Sequence, residues 1–263
     1  LYKHISPVDV DLFGVVGFDK TGQSIYYVDS SQSNTAALYI DDLAGNRTML
    51  AKNAKTDIKS VFQHPIEKTL QFYTCEYDRE EKVFLDKKVG QDFAFLQEQA
   101  GPDLDLLLVS RTLQDDQWIV AFTGAHQPLA YYLYDRQKQN LTFLFYNKES
   151  LQNQPLVKMH PVVIKSRDGL DLVSYLSLPI NSNSNGLIPA RPLPMVLLVH
   201  GGPIERDSWG YDPYHQWLAN RGYAVLSVNY RGSTGFGKDF INAADGQWGA
   251  KMHDDLILSL IHI

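Results

Sequence analysis

Residues His200 to Pro203 read His-Gly-Gly-Pro and follow directly on the apolar run Met195-Val-Leu-Leu-Val199. Such a run predicts a buried, central parallel strand covered on both faces. Two glycines let the backbone turn sharply and come close to a neighbouring group. Open α/β sheets place their ligands at the carboxyl ends of parallel strands. Backbone amides in a turn there can hold a developing negative oxygen, each donor being worth about 2.7–4 kcal/mol of transition-state stabilisation. The chemistry this predicts is acyl transfer, with His200, Gly201, Gly202 and Pro203 as the oxyanion-side loop. His200 can donate through its imidazole or brace the loop, and the sequence leaves both roles open.

A second glycine-rich run, Asn229-Tyr-Arg-Gly-Ser-Thr-Gly-Phe-Gly237, ends the next apolar segment. Its spacing fits neither the dinucleotide fingerprint nor a phosphate-binding P-loop. It is expected to form a compact loop beside the same site, through Arg231, Gly232, Ser233 and Gly235. Arg231 is expected to pair with a carboxylate such as Asp239 or Asp207, or else to be an ordinary solvated arginine. Acyl transfer also needs a nucleophile, a base and an orienting carboxylate. The elbow pattern Gly-x-Ser-x-Gly occurs nowhere in the sequence. Ser233 sits in Gly-Ser-Thr-Gly, and Ser208 precedes Trp209-Gly210 without the elbow context. No catalytic Ser, Asp or His is therefore assigned within the chain. Asp254 and Asp255 read as solvated or capping, and His160, His215 and His253 as surface or packing residues. No pair has zinc spacing, so no metal site is expected. Trp209, Tyr211, Tyr214 and Trp217 read as core or rim aromatics, with a pocket wall as the alternative.

The elements that must position these residues follow two grammars. Over residues 1–152, runs rich in aromatic and β-branched residues alternate with turn clusters. Strands beginning at Ser24, Leu70 and Trp118 are 46 and 48 residues apart, the period of four-stranded propeller blades. About three blades of an all-β propeller are expected, with an irregular β-sandwich as the alternative. From 153 to 257 the pattern becomes that of a doubly wound α/β domain. Residues 162–169 and 172–178 read as a hairpin turning at Asp168-Gly169, and 181–194 as a surface loop. Asp212 and Pro213 open a helix that ends before Gly222. Tyr223-Ala-Val-Leu-Ser-Val228 is a further buried strand, so strand–helix–strand implies a parallel crossover. Residues from Lys251 begin an amphipathic helix. Leu258 to Ile263 match the translation of a transposase mosaic-end adapter, so they are expected to be a non-native tail on a gene that continues.

Composition narrows the partners. The chain has 263 residues, 44% hydrophobic and 21% charged, which supports a packed core rather than disorder. A net charge of −6 with no basic run argues against nucleic acid and anionic membranes. No stretch approaches the ~18 consecutive apolar residues of a membrane span. Cys75 is the single cysteine, so no internal disulfide forms. That fits a reducing, cytoplasmic setting, but Leu1 is not an initiator and the compartment stays unknown.

Two segments together carry a resemblance. "MHPVVIKSRDGLDLVSYLSLP" and "VLLVHGGPIERDSWGYDPYHQWLANRGYAVLSVNYRGSTGFGKDFINAADGQWGAKMHDDL" resemble the prolyl oligopeptidase family of serine peptidases, in its acylaminoacyl-peptidase and dipeptidyl-peptidase-like branch. They cover roughly residues 155–256. The resemblance implies an α/β-hydrolase domain capped by a propeller, acting on peptides or acyl-peptides by Ser-His-Asp acyl transfer without a cofactor. It also allows self-association of the full-length parent. Relatives carry a tyrosine donor just before the Gly-Gly turn, and His200 stands at that position here. The family's serine is expected beyond Ile263, with its Asp and His further on. This chain is thus expected to be an inactive piece of a peptidase. An esterase with the same loop, and a non-catalytic propeller–hydrolase binding protein, are the alternatives.

Overall fold

The computed structural model describes residues 5–42, 44–182 and 187–262. Leu43 in the second-hairpin turn, residues 183–186 of the expected surface loop and Ile263 of the expected tail lie outside them.

The first half builds three antiparallel sheets in succession. The first has four strands, β1 (Gly14–Phe18), β2 (Ser24–Asp29), β3 (Ala37–Asp42) and β4 (Arg47–Ala51), in sequence order. The second has three, β5 (Ile58–Gln63), β6 (Leu70–Glu76) and β7 (Glu80–Phe84), followed by helix α1 (Lys87–Ala100). The third has four, β8 (Asp105–Arg111), β9 (Gln117–Gly124), β10 (Gln127–Asp135) and β11 (Asn140–Tyr146). The repeat expected from strand starts therefore appears as three meander sheets, and the described residues close no ring.

Helix α1 corrects the all-β expectation for residues 1–152. Asp86 caps it, accepting hydrogen bonds from the amides of Lys88 and Val89. Val89, Phe93 and Leu96 fall at helical spacing and are buried with Phe72, Leu106, Trp118 and Tyr134. Phe93 and Phe95 two residues apart mimic strand alternation, and Gly90 weakens the helical signal. Burial against two sheets outweighs both.

The second half has one four-stranded sheet in the order β12 (Met159–Lys165), β13 (Asp171–Ser177), β15 (Ala224–Val228), β14 (Met195–Leu198). Strands β12 and β13 form the expected hairpin, and β14 and β15 run parallel, Leu197 facing Leu226. Helix α2 (Pro213–Ala219) joins them, with the Asp212 carboxylate capping the amides of Tyr214 and His215. Short α3 (Lys238–Asn242) and α4 (Lys251–His262) follow. Strand β15 is wholly buried. Among the described residues, strand β14 has one paired edge, with β15. It lies at the sheet edge, half-buried along its length, with Val199 44% exposed. An apolar run records what a strand's two faces prefer and does not say whether both edges find a partner.

The halves meet along the second glycine-rich run, at α3 and at β13. Asp57 accepts from the amides of Ala36 and Gly237, and its own amide donates to the Gly235 carbonyl. Lys238 Nζ reaches Asp9, Asn34 Oδ1 accepts from the Asp239 amide, and Tyr175 donates to the Asp78 carbonyl.

Candidate active site

The turn after β14 is shaped by its glycines. Gly202 has φ +117°, and a Cβ there would stand 2.6 Å from the Ile204 nitrogen, so no other residue fits without rearrangement. The Gly202–Pro203 bond is cis. Gly201 and Gly202 are exposed, and their amides donate to no partner among the described residues.

His200 points back into the protein. Its ring stacks on Tyr230, with centroids 4.6 Å apart and planes 15° apart. The Tyr230 hydroxyl donates to the His200 carbonyl at 3.0 Å. Nε2 lies 2.9 Å from Ser233 Oγ, and Nδ1 lies 2.8 Å from the Gly201 carbonyl. Ser233 spends its proton on the Tyr230 carbonyl at 2.7 Å, so its oxygen is an acceptor toward Nε2. The Gly201 carbonyl can only accept. A neutral ring meets one of these demands, and an imidazolium meets both. Burial pushes the His200 pKa below its ordinary value, which favours the neutral ring. Both nitrogens are thus turned to groups of the loops themselves.

The second glycine loop is built differently. Arg231 is 3% exposed. Its Nη1 and Nη2 donate to the two carboxylate oxygens of Asp168, at 3.0 and 2.7 Å. Nε and Nη2 donate to Asp255, each at 2.8 Å, and the Arg231 amide donates there too. The expected partners were Asp239 and Asp207, and neither contacts it. Asp255 is not solvated or capping as expected, but 1% exposed and ion-paired. Hydrogen bonds from Arg231, then from Ser166 and Lys251, hold the Asp168 carboxyl far below its usual range. Asp254 pairs with Arg167 at the surface. Ser233 is completely buried. Gly232, at φ +99°, lets Pro203 and Ala244 close in, where a Cβ would come 3.2 and 2.9 Å from theirs. Gly235 leaves room for the Arg206 guanidinium.

Two residues that the sequence did not single out, Asn229 and Arg206, complete the frame with Asp207. Buried Asn229 pairs its side chain with the backbone of Asp207, accepting from the amide at 2.8 Å and donating to the carbonyl at 3.1 Å. Arg206 leaves the site for the β-sheet half. Asp207 is pushed up to about 7, first by burial and then by the nearby charge of Asp212. His215, expected as a packing residue, is buried between Ser177 Oγ at 3.0 Å and Ser227 Oγ at 2.9 Å. Hydroxyls can donate or accept, so this ring is satisfied neutral, and burial pushes it down to about 4. His160 is half-buried and His253 exposed. Trp209 donates to the Met159 carbonyl, while Tyr211 and Trp217 line an open groove of about 750 Å³ beside residues 150–157. No cluster of metal-ligating side chains occurs among the described residues, and no helix there is long and apolar enough to cross a membrane.

Comparison with known proteins places the chain. Residues 209–262 match the profile of the prolyl oligopeptidase family. Across 92% of its length the chain is 49% identical to dipeptidyl aminopeptidase BIII of Pseudoxanthomonas mexicana. The chain belongs to the prolyl oligopeptidase family. It is also 32% identical to dipeptidyl peptidase family member 6 of Caenorhabditis elegans over 97% of its length. It spans 35% and 37% of those two relatives. Among solved structures, it resembles Pyrococcus horikoshii acylaminoacyl peptidase with a TM-score of 0.64 and 18% identity, covering 95% of this chain and 38% of that one. A Mycobacterium tuberculosis puromycin-hydrolyzing peptidase gives a TM-score of 0.66 and 20% identity, covering 90% and 36%. These two likenesses are of fold.

Proposed function

We propose that this chain supplies the oxyanion side of a serine peptidase whose nucleophile, base and orienting carboxylate lie outside residues 1–263. The observation that carries this reading is the division of labour in the His200–Pro203 turn. Its two glycines are exposed at the carboxyl end of a parallel strand, with amides that have no partner among the described residues, and its imidazole is withdrawn between Ser233 and Tyr230. The backbone, not the His200 side chain, then meets the developing oxyanion, where preorganised donors act most strongly. His200 braces the turn, and Arg231, Gly232, Ser233 and Gly235 form its floor.

In this reading, residues 1–152 are blades of a propeller and 153–257 open an α/β-hydrolase domain. The similarity to a protein named as a dipeptidyl aminopeptidase favours release of dipeptides from peptide N-termini. No cofactor is required for such chemistry. The decisive experiment has two arms. Residues 1–263 alone should neither turn over dipeptidyl anilides nor react with a fluorophosphonate serine probe, and specific labelling would refute the reading. In the full-length peptidase, Gly202→Ala should lower kcat by roughly 10²-fold, the scale of losing one oxyanion donor. Preference for short-acyl esters over peptides would favour an esterase instead.

A further inference from the structure

The segment after the glycine turn reaches out of its own half of the molecule. Arg206 lies three residues beyond Pro203. Its Nη1 donates to the Glu76 carbonyl at 3.0 Å and its Nη2 to the Tyr77 carbonyl at 3.1 Å, both at the end of β6. The Glu76 carboxylate stands 3.6 Å away and is itself bonded by Lys59. The guanidinium lies 4.7 Å over the Phe236 ring and passes against Gly235, where a side chain would block it. We propose that Arg206 is a positioning residue through which docking of the β-sheet half sets the geometry of the oxyanion turn. This rests on the reading of His200–Pro203 given above.

The argument is one of connectivity. Between the turn and Arg206 the backbone is tied at Glu205. The Glu205 amide donates to the Pro203 carbonyl at 2.8 Å, and the Glu205 carbonyl accepts from Thr234 at 2.9 Å. Asp207 is held by Asn229 on the far side. A displacement of the Arg206 head group therefore reaches Pro203 across two residues, of which Glu205 is held at both its amide and its carbonyl. A fork that bridges two successive carbonyls fixes direction as well as distance, which an ammonium cannot do. Of the other contacts between the halves, Asp57 reaches the second glycine loop at Gly235 and Gly237 and not the segment of the turn itself. Lys238 with Asp9, and Asn34 with Asp239, tie the β-sheet half to α3, away from the turn. A cavity of about 300 Å³ runs between the halves beside Arg206, Glu76, Asp57 and Gly235. The contact thus borders open space and is not sealed in a core.

The sequence allows a clean probe, because His200-Gly201 is its only His-Gly pair. Carbonyl-labelled histidine with nitrogen-labelled glycine isolates the Gly201 amide signal in the 263-residue chain. Arg206→Gln should shift or broaden that signal, Arg206→Lys should restore it only in part, and Lys238→Met should leave it in place. In the full-length peptidase, Arg206→Gln should lower kcat about tenfold with KM changed less than about twofold, as for a misplaced donor. An unmoved Gly201 signal in Arg206→Gln would overturn the proposal. So would equal shifts in Lys238→Met, which would reduce Arg206 to a stabiliser of the interface. If the signal moves while kcat does not, the proposal also fails, and Gly202→Ala tells why. Loss of activity in that variant faults only the coupling, and full activity faults the oxyanion reading beneath it.

Discussion

The two glycine loops of this chain share a site and differ in almost every physical respect. Residues 200–203 are exposed or half-buried, and two amides there have no protein partner among the described residues. Residues 229–233 are buried to the last side chain and bonded on all sides. The difference shows how a short turn with free donors is kept in one shape. It borrows rigidity from a neighbour whose backbone amides are all bonded. His200, stacked on Tyr230 and held by Ser233, is the join between them.

The largest effect that can break this comparison is removal of the ion pair under the second loop. Arg231 and Asp255 have side chains 4% and 2% exposed. Removing the Arg231 guanidinium strands the Asp255 charge in low dielectric, at about 3–5 kcal/mol. Arg231→Met should therefore lower unfolding free energy by that amount in urea. A loss below about 1 kcal/mol would mean that the second loop is not the rigid member of the pair.

A smaller effect is expected where the loops touch. Gly232→Ala places a methyl 2.9 Å from Ala244 Cβ at φ +99°. Strain and overpacking together should destabilise by about 1–3 kcal/mol. Ser233→Ala should cost about 1–3 kcal/mol, because it removes the hydroxyl that donates to the Tyr230 carbonyl and is the partner of His200 Nε2. It should also move the His200 ring nitrogen shifts. Unchanged shifts would separate His200 from the second loop and leave the turn to hold itself.

How much of this was legible beforehand follows from the range of each interaction. The α2 cap at Asp212, the hairpin turn at Asp168-Gly169 and the β14–α2–β15 crossover are local patterns, and each was readable. The glycine turn was readable as a turn, since only glycine tolerates its backbone. The partners of Arg231 were not. Asp168 and Asp255 lie 63 and 24 residues away, and nothing in the sequence prefers them to Asp239 or Asp207. Asp255 looked like an ordinary helix-surface carboxylate until folding brought Arg231 against it. Helix α1 was missed although Val89, Phe93 and Leu96 carry a helical period, because the surrounding β-repeat set the expectation.

The smallest effect sharpens where the rigid region ends. Asp207 and His215 both lie near Ser227, and burial shifts them so that their pH dependences oppose each other. His215, lowered from 6.5 to about 4, favours folding above pH 6.5, and this is lost as pH falls toward 4. Asp207, raised from 3.8 to about 7, is protonated in the folded state across that range. Its contribution is present at acid pH and is lost as pH rises toward 7. Between about pH 4 and 6.5 the two slopes cancel in large part, each being at most about 1.4 kcal/mol per pH unit. Relative to the parent chain, Asp207→Asn should gain stability as pH rises through this window, and His215→Gln should lose it. Urea midpoints at pH 4.5, 5.5 and 6.5 would read both slopes. A flat difference for Asp207→Asn would mean that solvent reaches that carboxylate, so that the rigid frame around the turn stops at Asn229 and does not extend to the residue after Arg206.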